Sequence, residues 1–345
     1  MHVKSLIAPL ILALSFLAVE SAPAAWADSG KTLTVYTTRN SKTDAALIEQ
    51  FSKENDITVT LVSGKSKELV EQLENERSAP KADVFITVDG GLLDCVKQKG
   101  LLQSVSDARA LEHVPAALRD KDNHWIGLST RARVIVYSKD RVKAEQLSTY
   151  EDLAAPKWRG KIVARPCSLY DQSLAASLVA LDGEKAAADW IKGVAANFAR
   201  PPKGNDRSQA KDIAAGTGDL ALMNTYYIGR MLNGTDAEEV KAAQSVGVFF
   251  PNQTTTGTHI NVCGIALVKG APHKAEAEKL IAWLTDAPQQ ESLAAGNYEY
   301  PVNPKAKKPE TLEQWGTFKA QIIDFSVLGQ NNAKAKKLFA EGGWD

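Results

Sequence analysis

Across 345 residues the chain carries 41 basic and 41 acidic side chains, for a formal charge of zero, and is 44% hydrophobic and 7% aromatic. That length exceeds one ordinary core and predicts two lobes, while the balanced charge, with no dense Lys or Arg run, argues against binding nucleic acid or an anionic membrane surface. Three cysteines, Cys95, Cys167 and Cys263, are too few and too scattered for a disulfide-dense scaffold, a four-cysteine zinc module or an iron–sulfur cluster.

Residues 1–27 read as a secretory signal peptide: Lys4, an apolar stretch of about 14 residues from Leu6 to Val19, then Ala25-Trp26-Ala27. The stretch is too short to span a bilayer, which takes roughly 20 residues. Cleavage is expected after Ala27, releasing a periplasmic protein with no membrane span and, lacking a cysteine at that site, no lipid anchor. Strand and helix patterns then alternate. Leu33–Tyr36, Ile57–Val62 and Asp83–Thr87 read as strands, and the stretches from Thr43 to Ser52 and Lys67 to Arg77 as helices. This βαβαβ rhythm predicts a mostly parallel sheet with ligands beyond the carboxyl ends of its strands.

Arg131–Tyr137 reads as a strand leading into a second lobe, which holds helices from Gln172 to Leu181 and Glu184 to Val194 and a strand Asp219–Met223. Val246–Phe250 and Ile260–Val268 read as strands returning to the first lobe. Helices follow over Lys274–Thr285, Pro288–Ala295, Leu312–Gly329 and Asn332–Phe339. The expected fold class is a two-lobed α/β protein, each lobe a mixed sheet flanked by helices, with two crossover strands at the hinge and a cleft for a small ligand. Its expected division is residues 28–128 and 252–302 in one lobe, 129–251 and 303–345 in the other.

Known reaction motifs are missing. The chain has no G-x-S-x-G elbow, and His113, His124, His259 and His273 show no zinc-hydrolase spacing; each reads as a surface or loop residue. Gly64-Lys65-Ser66 resembles the end of a phosphate-binding loop, but Val59 stands where that loop needs its first glycine. The tyrosines say more. Tyr226 and Tyr227 are adjacent behind an apolar strand, at a helix start capped by Asn224 or Thr225, and Tyr170 sits in a loop entering another helix. From pattern alone these rings are either packing groups or two phenols brought to one cleft.

The segments Val35-Tyr36-Thr37-Thr38-Arg39, Ala82–Asp89, Trp158-Arg159-Gly160-Lys161, Tyr170-Asp171-Gln172-Ser173, Asn197–Pro202, Gly218-Asp219 and Asn224–Arg230 resemble the periplasmic ferric-ion-binding proteins of ABC iron importers, in the branch that includes the cyanobacterial receptors. The resemblance implies a class II binding protein, not an enzyme, that carries Fe(III) to an ABC permease; a monomer is expected. It implies Tyr170, Tyr226 and Tyr227 as iron ligands. Arg131, and with it Arg39 and Arg230, is implied as a charge that favours phenolate or holds a synergistic anion such as carbonate. The chemistry agrees: ferric ion prefers anionic oxygen, and three phenolates cancel its charge.

The first lobe departs from that pattern. Asn40-Ser41 stands where relatives often carry His-Tyr, and Val88 where the transferrin-like branch has a glutamate. All protein ligands are therefore expected from the second lobe, with water or an anion completing the sphere. Cys167 and Cys263 are candidates for a disulfide in an oxidising compartment. Two other functions stay open at this point: a receptor for another solute such as a phosphonate, polyamine or thiamine, and a secreted hydrolase whose groups meet only in space.

Overall fold

The computed structural model describes residues 30–344, so the signal segment expected over 1–27 lies outside the described residues. The chain begins with β1 (Thr32–Thr37), α1 (Lys42–Asn55), β2 (Thr58–Ser63), α2 (Ser66–Asn75) and β3 (Val84–Thr87), the βαβαβ unit its pattern predicts. Next come α3 (Gly90–Gln98), β4 (Leu102–Gln103), α4 (Ala108–His113) and β5 (Trp125–Ser138). The middle of the chain supplies α5 (Leu169–Asp182), α6 (Glu184–Ala195), α7 (Asp206–Ala214), β6 (Leu220–Asn224), α8 (Thr225–Leu232), α9 (Ala237–Ser245) and β7 (Val246–Phe249). It ends with β8 (Ile260–Val268), α10 (Lys274–Thr285), α11 (Ala287–Asn297), β9 (Tyr300–Pro301), α12 (Glu310–Gln314) and α13 (Ser326–Glu341).

Local chemistry explains these elements. Ser41 caps α1, accepting from the Asp44 amide, and Asp56 stops the helix in the left-handed region at φ 53°. Leu47, Ile48 and Phe51 bury one face of α1 against the sheet. Val84-Phe85-Ile86-Thr87 is buried throughout, as a parallel strand covered on both faces should be.

Strand β5 joins the two lobes. The path β2-β1-β3-β8-β5-β6 is parallel from β2 to β3 and antiparallel from β3 to β6. Residues 125–132 of β5 pair with β8, whereas Arg133–Ser138 pair with β6 and β7, so one strand belongs to both sheets. The expected second crossover strand is replaced by an irregular passage from Phe250 to His259, where Pro251 offers no amide and Asn252 takes φ 59°. A third tie is α13, packed on both α5 and α3. At its crossing with α3, a Cβ on Gly91 would lie 2.9 Å from the Gly329 amide nitrogen, so the helices touch backbone to backbone.

Two expectations need correction. Val246–Phe249 does not return to the first lobe; it pairs with β5 in the second sheet, Val248 opposite Val136 and Phe249 opposite Ile135. The helix expected over Leu312–Gly329 is only the short α12. Gly316 takes φ +74°, and residues 319–321 instead exchange backbone hydrogen bonds with Thr258 at 2.8 Å. Tertiary pairing there overrides helix propensity. Among the described residues no helix is long and apolar enough to cross a membrane.

Candidate functional site

The site is assembled on the first turns of two helices. Tyr170 is the second residue of α5, and Tyr226 and Tyr227 are the second and third of α8, which follows β6 without a break. A buried guanidinium fixes both starts. Arg133, from the far half of β5, donates to Asp171 at 2.5 Å and Asp206 at 3.1 Å and reaches Asn224 Oδ1, the α8 cap position, at 3.5 Å. Asp171 in turn accepts from the Ser168 hydroxyl and amide, closing a capping box beside Tyr170.

This scaffold brings the phenols together. Tyr226 Oη donates to Tyr170 Oη at 3.1 Å, and the Tyr226 and Tyr227 rings pack with centroids 4.2 Å apart. Burial, reinforced by Tyr170 and Tyr227, raises the Tyr226 pKa well above 10 against the opposing pull of Arg131. Burial and the neighbouring Tyr170 and Asp206 likewise raise Tyr227, with Arg165 opposing. Tyr226 and Tyr227 are thus held in the neutral phenol form. The N-terminal turns of α5 and α8, where the tyrosines sit, turn the positive ends of two helix dipoles towards them.

Tyr170 and Tyr226 line a cavity of about 220 Å³ with Arg230, Arg39, Asn40, Ser41, Thr38, Val88 and Glu299. Tyr227 sits behind Tyr226, towards Arg165 and Asp206. The three arginines differ sharply. Arg39 is tied into ion pairs, bonded to Asp44 and 3.0 Å from Glu299, and Arg230 lies 5.0 Å over the Tyr226 ring. Arg131 is 1% exposed, lies 5.7 Å from the centre of the Tyr170 ring, and has no hydrogen-bond partner for Nε, Nη1 or Nη2. Burial opposes its charge, but Glu299, Tyr170, Cys263 and Tyr226 outweigh that and hold the guanidinium protonated.

Pattern reading missed Glu299, a buried carboxylate that accepts from Ser129 and Arg39. Its signal was a lone acid within Tyr298-Glu299-Tyr300-Pro301, where the flanking residues favour a strand. His259 also departs from expectation: it is 1% exposed, with Nε2 3.1 Å from Ser173 Oγ and Nδ1 2.9 Å from Gln321 Oε1. This serine–histidine pair lies deep in the hinge and Asn261 also donates to Ser173, so no substrate reaches it. Cys167 and Cys263, the candidate pair, are not bonded to each other; Cys263 is fully buried on β8 as a thiol among Arg39, Arg131 and Glu299.

A cavity between two α/β lobes, lined by two phenols and by arginines, with the hydrogen-bond-deficient Arg131 buried beside Tyr170, is the arrangement of a small-ligand binding protein. Residues 46–342 match the bacterial extracellular solute-binding proteins, and the chain belongs to that family. It is 43% identical to Iron uptake protein A1 of Synechocystis over 90% of this chain and 87% of that one. Its fold is similar to a Trichodesmium protein, IdiA or FutA, solved with iron and citrate ligands, at TM-score 0.87 and 42% identity, covering 91% of this chain and 100% of the other. The ferric binding protein of Campylobacter jejuni matches at TM-score 0.85 and 38% identity, covering 90% and 99%. The family and these relatives are binding proteins rather than enzymes.

Proposed function

We propose that the protein captures Fe(III) in the periplasm, binds it through the phenolates of Tyr170, Tyr226 and Tyr227, and delivers it to an ABC permease. The observation that carries this reading is the Tyr226–Tyr170 hydroxyl pair at 3.1 Å beside the fully buried, hydrogen-bond-deficient Arg131. Three phenolates neutralise the ion's charge, and Arg131 favours their ionised form. On the opposite wall Val88, Asn40 and Ser41 bring no anionic oxygen and the Glu299 carboxylate is taken up by Arg39 and Ser129, so water or an anion such as carbonate completes the sphere, with Arg131, Arg39 and Arg230 as the cations near it. The first lobe comprises 28–128 and 252–302 and the second 129–251 and 303–345, after cleavage behind Ala27; the mature protein acts as a monomer.

The test is replacement of Tyr226 and Tyr227 by phenylalanine. Each change keeps the ring and removes an anionic ligand. The double variant is expected to fold, to keep only the weaker, shifted charge-transfer band of the one remaining phenolate, Tyr170, and to bind ferric ion roughly a hundredfold more weakly. Parent-like affinity would refute the ligand assignment.

A further inference from the structure

Arg230, the residue after Gly229 on α8, reaches across the cleft. Its Nε and Nη2 donate to the backbone oxygen of Asn297 at 3.3 Å and to its side-chain oxygen at 3.1 Å. Asn297 ends α11, which packs on α1 and α10, whereas α8 packs on α7 and α9, so these bonds join opposite lobes. Asn297 is 1% exposed and fully engaged: Oδ1 also receives the Ser41 hydroxyl at 2.7 Å, and Nδ2 donates to Asp44 at 2.8 Å. Asp44 holds Arg39, which holds Glu299 at the cavity wall. Beside this junction a Cβ on Gly229 would meet the Tyr298 Cβ at 2.6 Å, so only glycine lets the tyrosine-bearing helix come this close.

We propose that Asn297 is a positioning residue: it receives Arg230 across the cleft, holds that arginine over the Tyr226 ring and keeps the lobes shut. What the latch retains rests on the ferric reading above; the latch itself does not. Its need follows from the first-lobe wall. There Val88, Asn40 and Ser41 offer a ligand no charge, and Glu299 is already engaged by Arg39 and Ser129, so contacts between the lobes such as Arg230–Asn297 are what hold them together. Opening must break two hydrogen bonds from a charged donor, taking Arg230 from the Asn297 backbone oxygen and leaving Oδ1 only the Ser41 hydroxyl.

The experiment compares the parent with Asn297→Ala, Arg230→Gln and the double variant. Small-angle scattering without iron should give both single variants a larger radius of gyration than the parent. After loading with ferric citrate, iron should pass to a competing chelator roughly tenfold faster from Asn297→Ala, with its charge-transfer band unmoved. The double variant should release little faster than the faster single one, because one contact has been removed once. An unchanged radius, strictly additive rates or a displaced band would each overturn the latch. If the parent shows no band, the ferric reading falls while scattering still decides the latch. In the parent, where no substitution threatens folding, amide exchange over residues 226–233 and 294–299 must slow together on loading; slowing in one stretch alone overturns the proposal.

Discussion

A guanidinium with no hydrogen bond to Nε, Nη1 or Nη2 costs a folded protein free energy, and Arg131 stands in that condition while 1% exposed. Those missing hydrogen bonds oppose stability, and the role proposed for Arg131 at the ligand accounts for their being kept. Arg131→Met removes the unsatisfied charge and keeps much of the volume, and Glu299 retains Arg39 and Ser129 as partners. We expect the apo variant to unfold at equal or higher denaturant than the parent, and ferric affinity to fall about 10- to 100-fold, the range for a hydrogen bond to a charged group. Weaker binding accompanied by a clear loss of apo stability would identify Arg131 as a packing residue. At this scale the place of the tyrosine doublet at a helix start was legible because it is a local pattern, while the pattern alone left open whether the rings pack or bind. Glu299 and Asn297 were not, since each acquires its role from partners at Ser129, Arg39 and Arg230, far away in the chain. His259 was misread for the same reason: nothing beside it in sequence announces Ser173 or Gln321.

The hinge raises a question about elements rather than residues, because β5, the start of β8 and α5 meet there around a buried imidazole. The His259 ring donates from Nδ1 to Gln321 Oε1 and meets the Ser173 hydroxyl at Nε2, faces the charges of Arg131 and Arg133, and is held by burial at a pKa of about 4 against the usual 6.5. A lowered histidine pKa means that the unfolded chain binds a proton the folded chain refuses. Stability is complete above about pH 6.5 and declines on acidification to about pH 4, by ~3 kcal/mol for this one group. Denaturant unfolding of the apo protein across that window checks it. The stability difference between parent and His259→Gln should shrink by about that amount from pH 7 to 4; a constant difference contradicts the neutral, buried histidine. The elements themselves were largely readable, with β8 and α10 found at their expected bounds, because apolar periodicity reports burial directly. The failures fall where another segment decides. β7 follows β5 because of its cross-strand partners, and residues 319–321 stay out of a helix because Thr258 offers a backbone to pair with.

For the molecule as a whole, capture of a trivalent ion is an exchange of charge as much as a binding event. The phenols of Tyr226 and Tyr227 are pushed above their ordinary pKa by burial, so near neutral pH they are protonated before iron arrives. If Tyr170 joins them as a ligand, one Fe(III) expels three protons, and the formal charge of zero is the same before and after: three positive charges enter and three leave. With water completing the sphere, loaded and apo protein should focus at the same isoelectric point, whereas a bound carbonate would lower it. The same exchange fixes the pH dependence. Protons compete with the metal below the phenol range, and the ferric association constant should fall by up to roughly a thousandfold for each pH unit, tenfold per phenol. Calorimetric titration with a ferric chelate in buffers of different ionisation enthalpy, corrected for the chelate's own protons, measures the number directly. A release of three protons accords with a tris-phenolate site and two with a pair of tyrosines. A release near zero would mean that groups already ionised hold the metal, and the tyrosine cluster would then be ordinary packing at the mouth of the cleft.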